Sequence, residues 1–440
     1  MVLEIPDRAS RSMPGLSTIG IYSLPGSRQD SEDGDFDRIS NTSFNRAMEE
    51  PTSAILGVCK RCFINPYIHV LGVAGLRPRN IDSRDCLTAL GHIQSAIIFC
   101  FLITSYVLQF LCGFRRDRGF TAMVPSTSVW IHVRHLQRIS EITFTYVVPS
   151  ILHLFGYIAA LTVFRVVTNE QFQSLIERVF IVNNHYPRRL VTSCWMYKLI
   201  GLLWLLGSTC FVVLITDKQT ATSEWFTKLS GTNQLTFTRL LIGTLFVQDF
   251  IQCIVLSSYA VQCFLLRHFL RRVKEKLLEN TIDPLEWMRE MTEFQKLLEH
   301  LNLQMSTPVS LFVILNFIYF LSGTYYIAGR GDFAENLEVN LLEVLNCLMW
   351  MLGILLPLHQ AASLTTKCKE IQSCGHEIRI RPFLHHHTST EDLNSVLIYA
   401  SSLRMSAQLL KMPIKGGHLF GILILAAVIL TTFGMCFPAP

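Results

Sequence analysis

The chain has 440 residues, of which 16% are charged and 50% hydrophobic, with a mean hydropathy of +0.36. Soluble domains carry roughly a quarter charged residues, so this composition excludes a water-soluble enzyme. The net charge of +5 comes from Lys and Arg scattered over several segments, without the basic stripe that nucleic-acid binding requires.

The first 50 residues, rich in Ser, Asp and Arg, predict a disordered tail, and residues 51–90 a juxtamembrane segment. No apolar core of signal-peptide type lies in the opening MVLEIPDRASRSMPG, so the first span is expected to target the chain. Apolar runs of about 20 residues, enough for a ~30 Å hydrocarbon core, recur near 91–112, 142–164, 199–216, 240–266, 308–328, 341–364 and 418–437. The expected fold is all-α, a polytopic membrane protein with seven transmembrane helices. Many of the 13 cysteines, among them Cys100, Cys210, Cys253, Cys263 and Cys347, fall inside these runs, where a thiol acts as a small hydrophobe. No disulfide framework is indicated.

Orientation follows from the connecting segments. Alternate segments share a side, and the set that includes the N-terminal segment holds 29 of the 38 Lys and Arg residues against 9 in the other set. The positive-inside rule therefore places the N-terminus in the cytoplasm and the C-terminus outside. The N-x-S/T sequon at Asn41 then falls on the cytoplasmic side. This orientation, together with the lack of an Asp-Arg-Tyr-like triplet after the third span and of Asn-Pro-x-x-Tyr in the seventh, argues against a G-protein-coupled receptor.

Between the fourth and fifth spans, residues 267–307 are too charged for lipid yet strongly patterned, and predict a hairpin of long cytoplasmic helices. Asp283 is an N-cap candidate, Pro284 suits the first helical position and Glu286 completes a capping box. Trp287, Met291, Phe294, Leu298, Leu301 and Met305 follow at alternating spacings of three and four, a coiled-coil-like seam. A second seam, Leu393, Val396, Ala400, Leu403, Ala407 and Leu410, starts after Ser389-Thr390-Glu391-Asp392 and predicts a helix that runs to a break at Pro413. The two seams are expected to pack against each other in one chain, between subunits, or both. Residues 367–417 thus form a cytoplasmic loop and helix, and 418–440 the last span.

These features together resemble the arthropod gustatory and odorant receptor family, nearer its gustatory branch. The resemblance rests on seven spans with the N-terminus inside, on the stretch EMTEFQKLLEHLNLQMSTPVSLFVILNFIYFLSGTYYI entering the fifth span, on the SLRMSAQLLKMP segment, and on a seventh span that ends almost with the sequence. The gustatory branch tends to close on Thr-Tyr, five apolar residues and Gln-Phe. Here Thr432 and Phe433 stand at the first pair and Ala439 and Pro440 at the last. The resemblance implies a chemosensory receptor of the plasma membrane that acts as a ligand-gated, non-selective cation channel. It also implies a homo- or hetero-tetramer with related subunits, gated by a small tastant or odorant and lined by the last span. On that span Leu419, Ile422, Ala426, Ile429 and Phe433 share one helical face, with Phe433 and Phe437 as candidate constrictions. A metabotropic receptor and a secondary transporter remain as alternatives.

Polar residues within spans face the bundle interior or a cavity. Gln248, Asp249 and Gln252 share a face of the fourth span, Asn316, Tyr319 and Gly323 one of the fifth, and Glu343, Asn346 and Trp350 one of the sixth. Tyr146 and His153 on the second span and Tyr325 on the fifth complete the candidate ligand contacts, and Asp249 is the residue most in need of a partner. Cys59-Lys-Arg-Cys62 is a lone CxxC, and His385, His386 and His387 lack a matching ligand set, so no metal and no cofactor is expected. No nucleophile, base and oxyanion set occurs in any loop, and no enzymatic activity is expected. With epitope tags on both ends, the N-terminal tag is expected to be labelled only after permeabilisation and the C-terminal tag on intact cells. Labelling of the N-terminal tag on intact cells would overturn the orientation.

Overall fold

The computed structural model describes residues 57, 59–77, 85–120, 142–167, 169–182, 187–218, 226, 231–329, 337–380 and 389–417, and beyond these 420, 421, 424, 427 and 428. The helices are α1 (Asn65–Val73), α2 (Asp85–Cys112), α3 (Val148–Thr162), α4 (Asn169–Val182), α5 (Pro187–Lys218), α6 (Gly231–Leu278), α7 (Pro284–His300), α8 (Ser306–Gly329), α9 (Leu337–Gln372), α10 (Cys374–Arg379) and α11 (Thr390–Ser402). Among the described residues there are also two two-stranded antiparallel hairpins, β1 (Phe114–Arg115) with β2 (Gly119–Phe120), and β3 (Gln408–Leu409) with β4 (Met412–Pro413). Six helices among the described residues are long and apolar enough to cross a membrane, at the first six expected positions. Most of the seventh expected span, including Leu419, Ile422, Ala426, Ile429, Phe433 and Phe437, lies outside the described residues.

α6 is the axis of the bundle. It packs against α2, α4, α5, α7, α8 and α9, and from Ser258 to Leu266 every residue is buried, the mark of a helix surrounded on all sides. Its 48 residues rise about 72 Å at ~1.5 Å per residue, more than twice the hydrocarbon thickness. The outer helices show the opposite pattern. Ile93, Ile97 and Phe101 on α2 and Leu199, Leu203 and Leu206 on α5 are exposed at spacings of three and four, stripes suited to lipid contact.

The four π-helical turns of the described residues are Lys60–Ile64, Thr143–Val147, Val163–Val167 and Leu301–Met305. Three of them precede a proline, Pro66, Pro149 or Pro308, whose position i−4 falls inside the turn. A proline lacks the donor for that carbonyl and its ring clashes with it. A wider turn relieves the conflict without ending the helix. This is why α7 runs on through Leu301–Met305 into α8 as one rod.

The first seam forms as the spacing predicts, with Trp287, Met291, Phe294, Leu298, Leu301 and Met305 all buried. Asn280 takes the left-handed conformation (φ 54°), and the Thr281 N–H donates to the Lys276 carbonyl at 2.9 Å, closing α6 with a Schellman turn. Asp283 then caps α7 by accepting from the Leu285 N–H at 3.2 Å. Phe294 stacks on Phe269 of α6 with centroids 6.2 Å apart, and Trp287 meets Tyr399 of α11 edge-on at 5.9 Å. The two seams therefore meet within one chain.

The second seam corrects the expectation of a helix to Pro413. Ser389 caps α11, accepting from the Asp392 N–H at 3.0 Å, but α11 ends at Ser402 and Leu403 is extended. Side chains of other helices take over the backbone. Gln372 donates to the Leu403 carbonyl at 2.5 Å, Asn302 bonds both the Ser406 carbonyl (2.9 Å) and the Gln408 N–H (2.8 Å), Thr365 accepts from Ala407 at 3.1 Å and Ser310 from Leu410 at 3.1 Å. Leu410 and Lys411, both at positive φ, form the two-residue turn of the β3–β4 hairpin, whose handedness matches strand twist.

Replacing Trp287, fully buried in the seam, by Ala is expected to cost ~3–5 kcal/mol, against less than ~0.5 kcal/mol for Leu285→Ala at an exposed position two residues away. Thermal denaturation of the detergent-solubilised variants measures the difference. Equal midpoints would refute the internal seam.

Candidate ligand-binding site

A charged hairpin is folded into one end of the bundle. Gly113 (φ 68°) and Gly119 (φ 83°) let the chain reverse directly after α2. Phe114 and Phe120 pair edge-on across the strands at 5.2 Å, both buried. Between them Arg115, Arg116 and Asp117 are each less than a tenth exposed. Gly323 of α8 makes room for the approach, since a Cβ there would lie 2.7 Å from the Cys347 sulfur and 3.3 Å from the Asp117 carbonyl.

Arg116 forms an ion pair with Asp249 of α6, and the Ser208 hydroxyl of α5 donates to the same carboxylate at 2.7 Å. The Arg116 guanidinium stands 5.3 Å from the ring centre of Trp350 on α9. That indole contacts Tyr319 of α8 at 4.8 Å and Trp204 of α5 at 5.8 Å. A guanidinium over an aromatic face is attracted by the ring quadrupole, so one arginine is held by a carboxylate and an aromatic wall together. Asp117 accepts a bidentate pair from Arg115 (3.1 and 3.1 Å) and a bond from Ser322 (2.7 Å). Asn346 donates to the Arg116 carbonyl at 2.9 Å, fixing the hairpin backbone to α9.

A second polar cluster continues along α2, α3, α6 and α8. The Tyr106 hydroxyl and the His153 Nδ1 are 2.8 Å apart, and the His153 Nε2 lies 3.3 Å from the Gln248 carbonyl. Gln109 donates to Gln248 (3.2 Å) and Gln252 to Asn316 (2.5 Å). Tyr106, Tyr146, His153, Gln248, Tyr319 and Arg116 are among the walls of a cavity of about 10 Å³, space for roughly one water molecule.

Of the expected contacts, His153, Asn316, Tyr319, Asn346 and Trp350 are brought together in these two clusters. Tyr146 is half-buried on the cavity wall with its ring against Phe110 at 5.7 Å, and Glu343 is buried on α9, one helical turn from Asn346. Tyr325 is 45% exposed, and it is the neighbouring Tyr326 over which Arg118 stands at 4.7 Å. Sequence reasoning missed the hairpin and treated its arginines as ordinary loop charges. The run Gly113-Phe-Arg-Arg-Asp-Arg-Gly119 marks a turn, two glycines enclosing mixed charges, but nothing in it points to Asp249, 133 residues away.

No family model matches the chain, and no curated protein matches it by sequence. Solved structures do match. The insect olfactory receptor OR5 from Machilis hrabei, in complex with eugenol, aligns with a TM-score of 0.61 at 11% identity, covering 86% of this chain and 98% of that one. A second structure of OR5 from Machilis hrabei aligns with a TM-score of 0.61 at 9% identity, covering 85% of this chain and 98% of that one. The chain has the fold of an insect olfactory receptor.

Truncating one member of a buried ion pair costs ~3–5 kcal/mol, whereas replacing both by apolar residues is often neutral. Arg116→Met and Asp249→Leu are each expected to lower the thermal midpoint in detergent sharply, and the double variant to recover most of the loss. Additive losses would show that the two side chains do not depend on each other.

Proposed function

We propose that this protein is a chemosensory receptor of gustatory type, a ligand-gated non-selective cation channel of the plasma membrane. It assembles as a homo- or hetero-tetramer, with its N-terminus in the cytoplasm, and its last span lines the pore. The observation that carries the reading is the fold shared with an insect olfactory receptor over nearly the whole of that receptor, in agreement with the sequence features that resemble the same receptor family. That receptor was solved with eugenol, and a small aromatic molecule of this kind suits the wall of Trp204, Trp350 and Tyr319.

The ligand enters the end of the bundle that the Gly113–Phe120 hairpin covers. A cavity of about 10 Å³ is far below the ~300–1,000 Å³ of small-molecule sites, so binding requires the hairpin or the rings beneath it to move. That requirement ties ligand occupancy to a conformational change. The positive-inside count strengthens once the hairpin is in view, because three of the nine Lys and Arg residues on the outer side, Arg115, Arg116 and Arg118, belong to it.

The test is current recording from cells that express the chain, across a panel of tastants and small aromatic odorants. Ligand-evoked cation currents that persist in excised patches are expected. Responses that need G proteins and carry no conductance of their own would overturn the proposal.

A further inference from the structure

α6 and α9 lie side by side, and both change character at one level. From Phe250 to Leu266 α6 carries no charged residue, and from Val344 to Thr366 neither does α9; then Arg267 and Lys367 open charged stretches. This is where the helices leave hydrocarbon for the headgroup region. At that level the two helices border an open cavity of about 360 Å³, within the ~300–1,000 Å³ typical of small-molecule sites. Arg267, His268 and Arg271 contribute from α6, and Ser363, Thr366 and Lys367 from α9, with Glu370 beside them.

The local charge balance is positive. Glu275 is shared by Arg271 (2.8 Å) and Arg272 (3.1 Å). Lys367 donates to both oxygens of Glu370 at 2.8 Å. Among the described residues Arg267 has no carboxylate partner, its guanidinium lying 5.5 Å from the ring centre of Phe264. A cavity at the membrane boundary that offers guanidinium, ammonium and hydroxyl donors is suited to phosphate oxygens, which accept such bonds strongly. Basic pockets between transmembrane helices on the cytoplasmic side are where anionic headgroups bind.

We infer that this cavity binds a phosphate-bearing anion, and that the anion is the headgroup of a polyanionic lipid of the cytoplasmic leaflet. The sidedness rests on the orientation proposed above, whereas the site itself does not. Phosphate reaches Lys367 only by displacing Glu370, so Glu370 acts as a built-in competitor. Removing its charge strengthens binding, an effect opposite in sign to simple damage of the fold.

The experiment uses the purified full-length protein in neutral phosphatidylcholine nanodiscs and measures binding of a fluorescent short-chain phosphatidylinositol bisphosphate, with soluble inositol trisphosphate as a parallel probe. Saturable lipid binding is expected, weakened about tenfold or more by the double substitution Arg267→Gln with Lys367→Gln and strengthened by Glu370→Gln. Arg289→Gln, an exposed cation on α7, should leave it unchanged. Should the double variant fail to elute as a folded species, Arg271→Gln and Glu370→Gln carry the test. Inositol trisphosphate binding as tightly as the lipid, with the same sensitivity to substitution, would support the anion site and assign it to a soluble phosphate. Absent binding, equal loss in Arg289→Gln, or binding seen only after the protein is dissociated to single chains would overturn the proposal. None of these readouts involves ligand-evoked current, so headgroup binding without conductance would sink the channel reading and leave this site standing.

Discussion

A carboxylate on a membrane-spanning helix must meet a cation, because neither charge can be left alone in a medium of low dielectric constant. Asp249 meets Arg116, and much of this end of the molecule follows from that one contact. The arginine reaches the carboxylate only if the chain turns back on itself directly after α2, which needs glycine at 113 and 119. The turn needs a place to sit, which the missing side chain of Gly323 provides. Its backbone carbonyls, removed from water, need donors, and Asn346 supplies them. With Ser208 of α5 bonded to the same carboxylate, these contacts draw α5, α6, α8 and α9 around the turn that follows α2. The worth of the ion pair lies in this specification more than in net stability, since the desolvation of two charges offsets most of their attraction.

What could be read from the sequence divides along the same line. The six described spans, the Asp283 cap and the Trp287 to Met305 seam depend on residues within a few positions of one another, and periodicity exposes them. The polar faces of the fourth, fifth and sixth spans were legible for the same reason, and five of the eight expected contacts do converge. The partner of Asp249 was not legible, because 133 residues separate it from Arg116 and nothing local in an arginine-rich turn indicates inward folding. Tyr325 shows the limit in miniature. It shares its neighbourhood with Tyr326, and only tertiary placement decides which ring meets Arg118.

The end of α11 illustrates the reverse case, a local pattern overruled from a distance. Leu393, Val396, Ala400, Leu403, Ala407 and Leu410 have faultless helical spacing, and of these all but Leu393 and Leu410 are buried. A helix would satisfy the backbone of residues 403–410 internally. Instead Thr365, Asn302, Ser310 and Gln372 satisfy it from α8, α9 and the turn that precedes α8. These polar side chains are themselves buried or half-buried, and Asn302, Ser310 and Gln372 would lose these bonds if α11 ran on. Unsatisfied buried donors and acceptors cost ~1–3 kcal/mol each, and several together outweigh helix propensity, which differs by only a few tenths of a kcal/mol per residue among ordinary side chains.

The long central helix also sets where the two polar ends of the bundle lie relative to the bilayer. Along α6 the rise from Asp249 to Arg267 is about 27 Å at ~1.5 Å per residue, close to the ~30 Å hydrocarbon thickness. Along α9 the rise from Trp350 to Lys367 is about 26 Å by the same measure. Two helices in contact, measured independently, thus place the aromatic and ionic cluster one membrane thickness from the basic cavity. Asp249 then lies near one boundary and not at the bilayer centre, where a charge is most expensive. The hairpin that supplies its counterion is short enough to fold in from the adjacent aqueous side. The apolar run that the sequence presents as one span of 240–266 is in physical terms a hydrocarbon-crossing stretch from Phe250 to Leu266, capped by a carboxylate at one end and a guanidinium at the other.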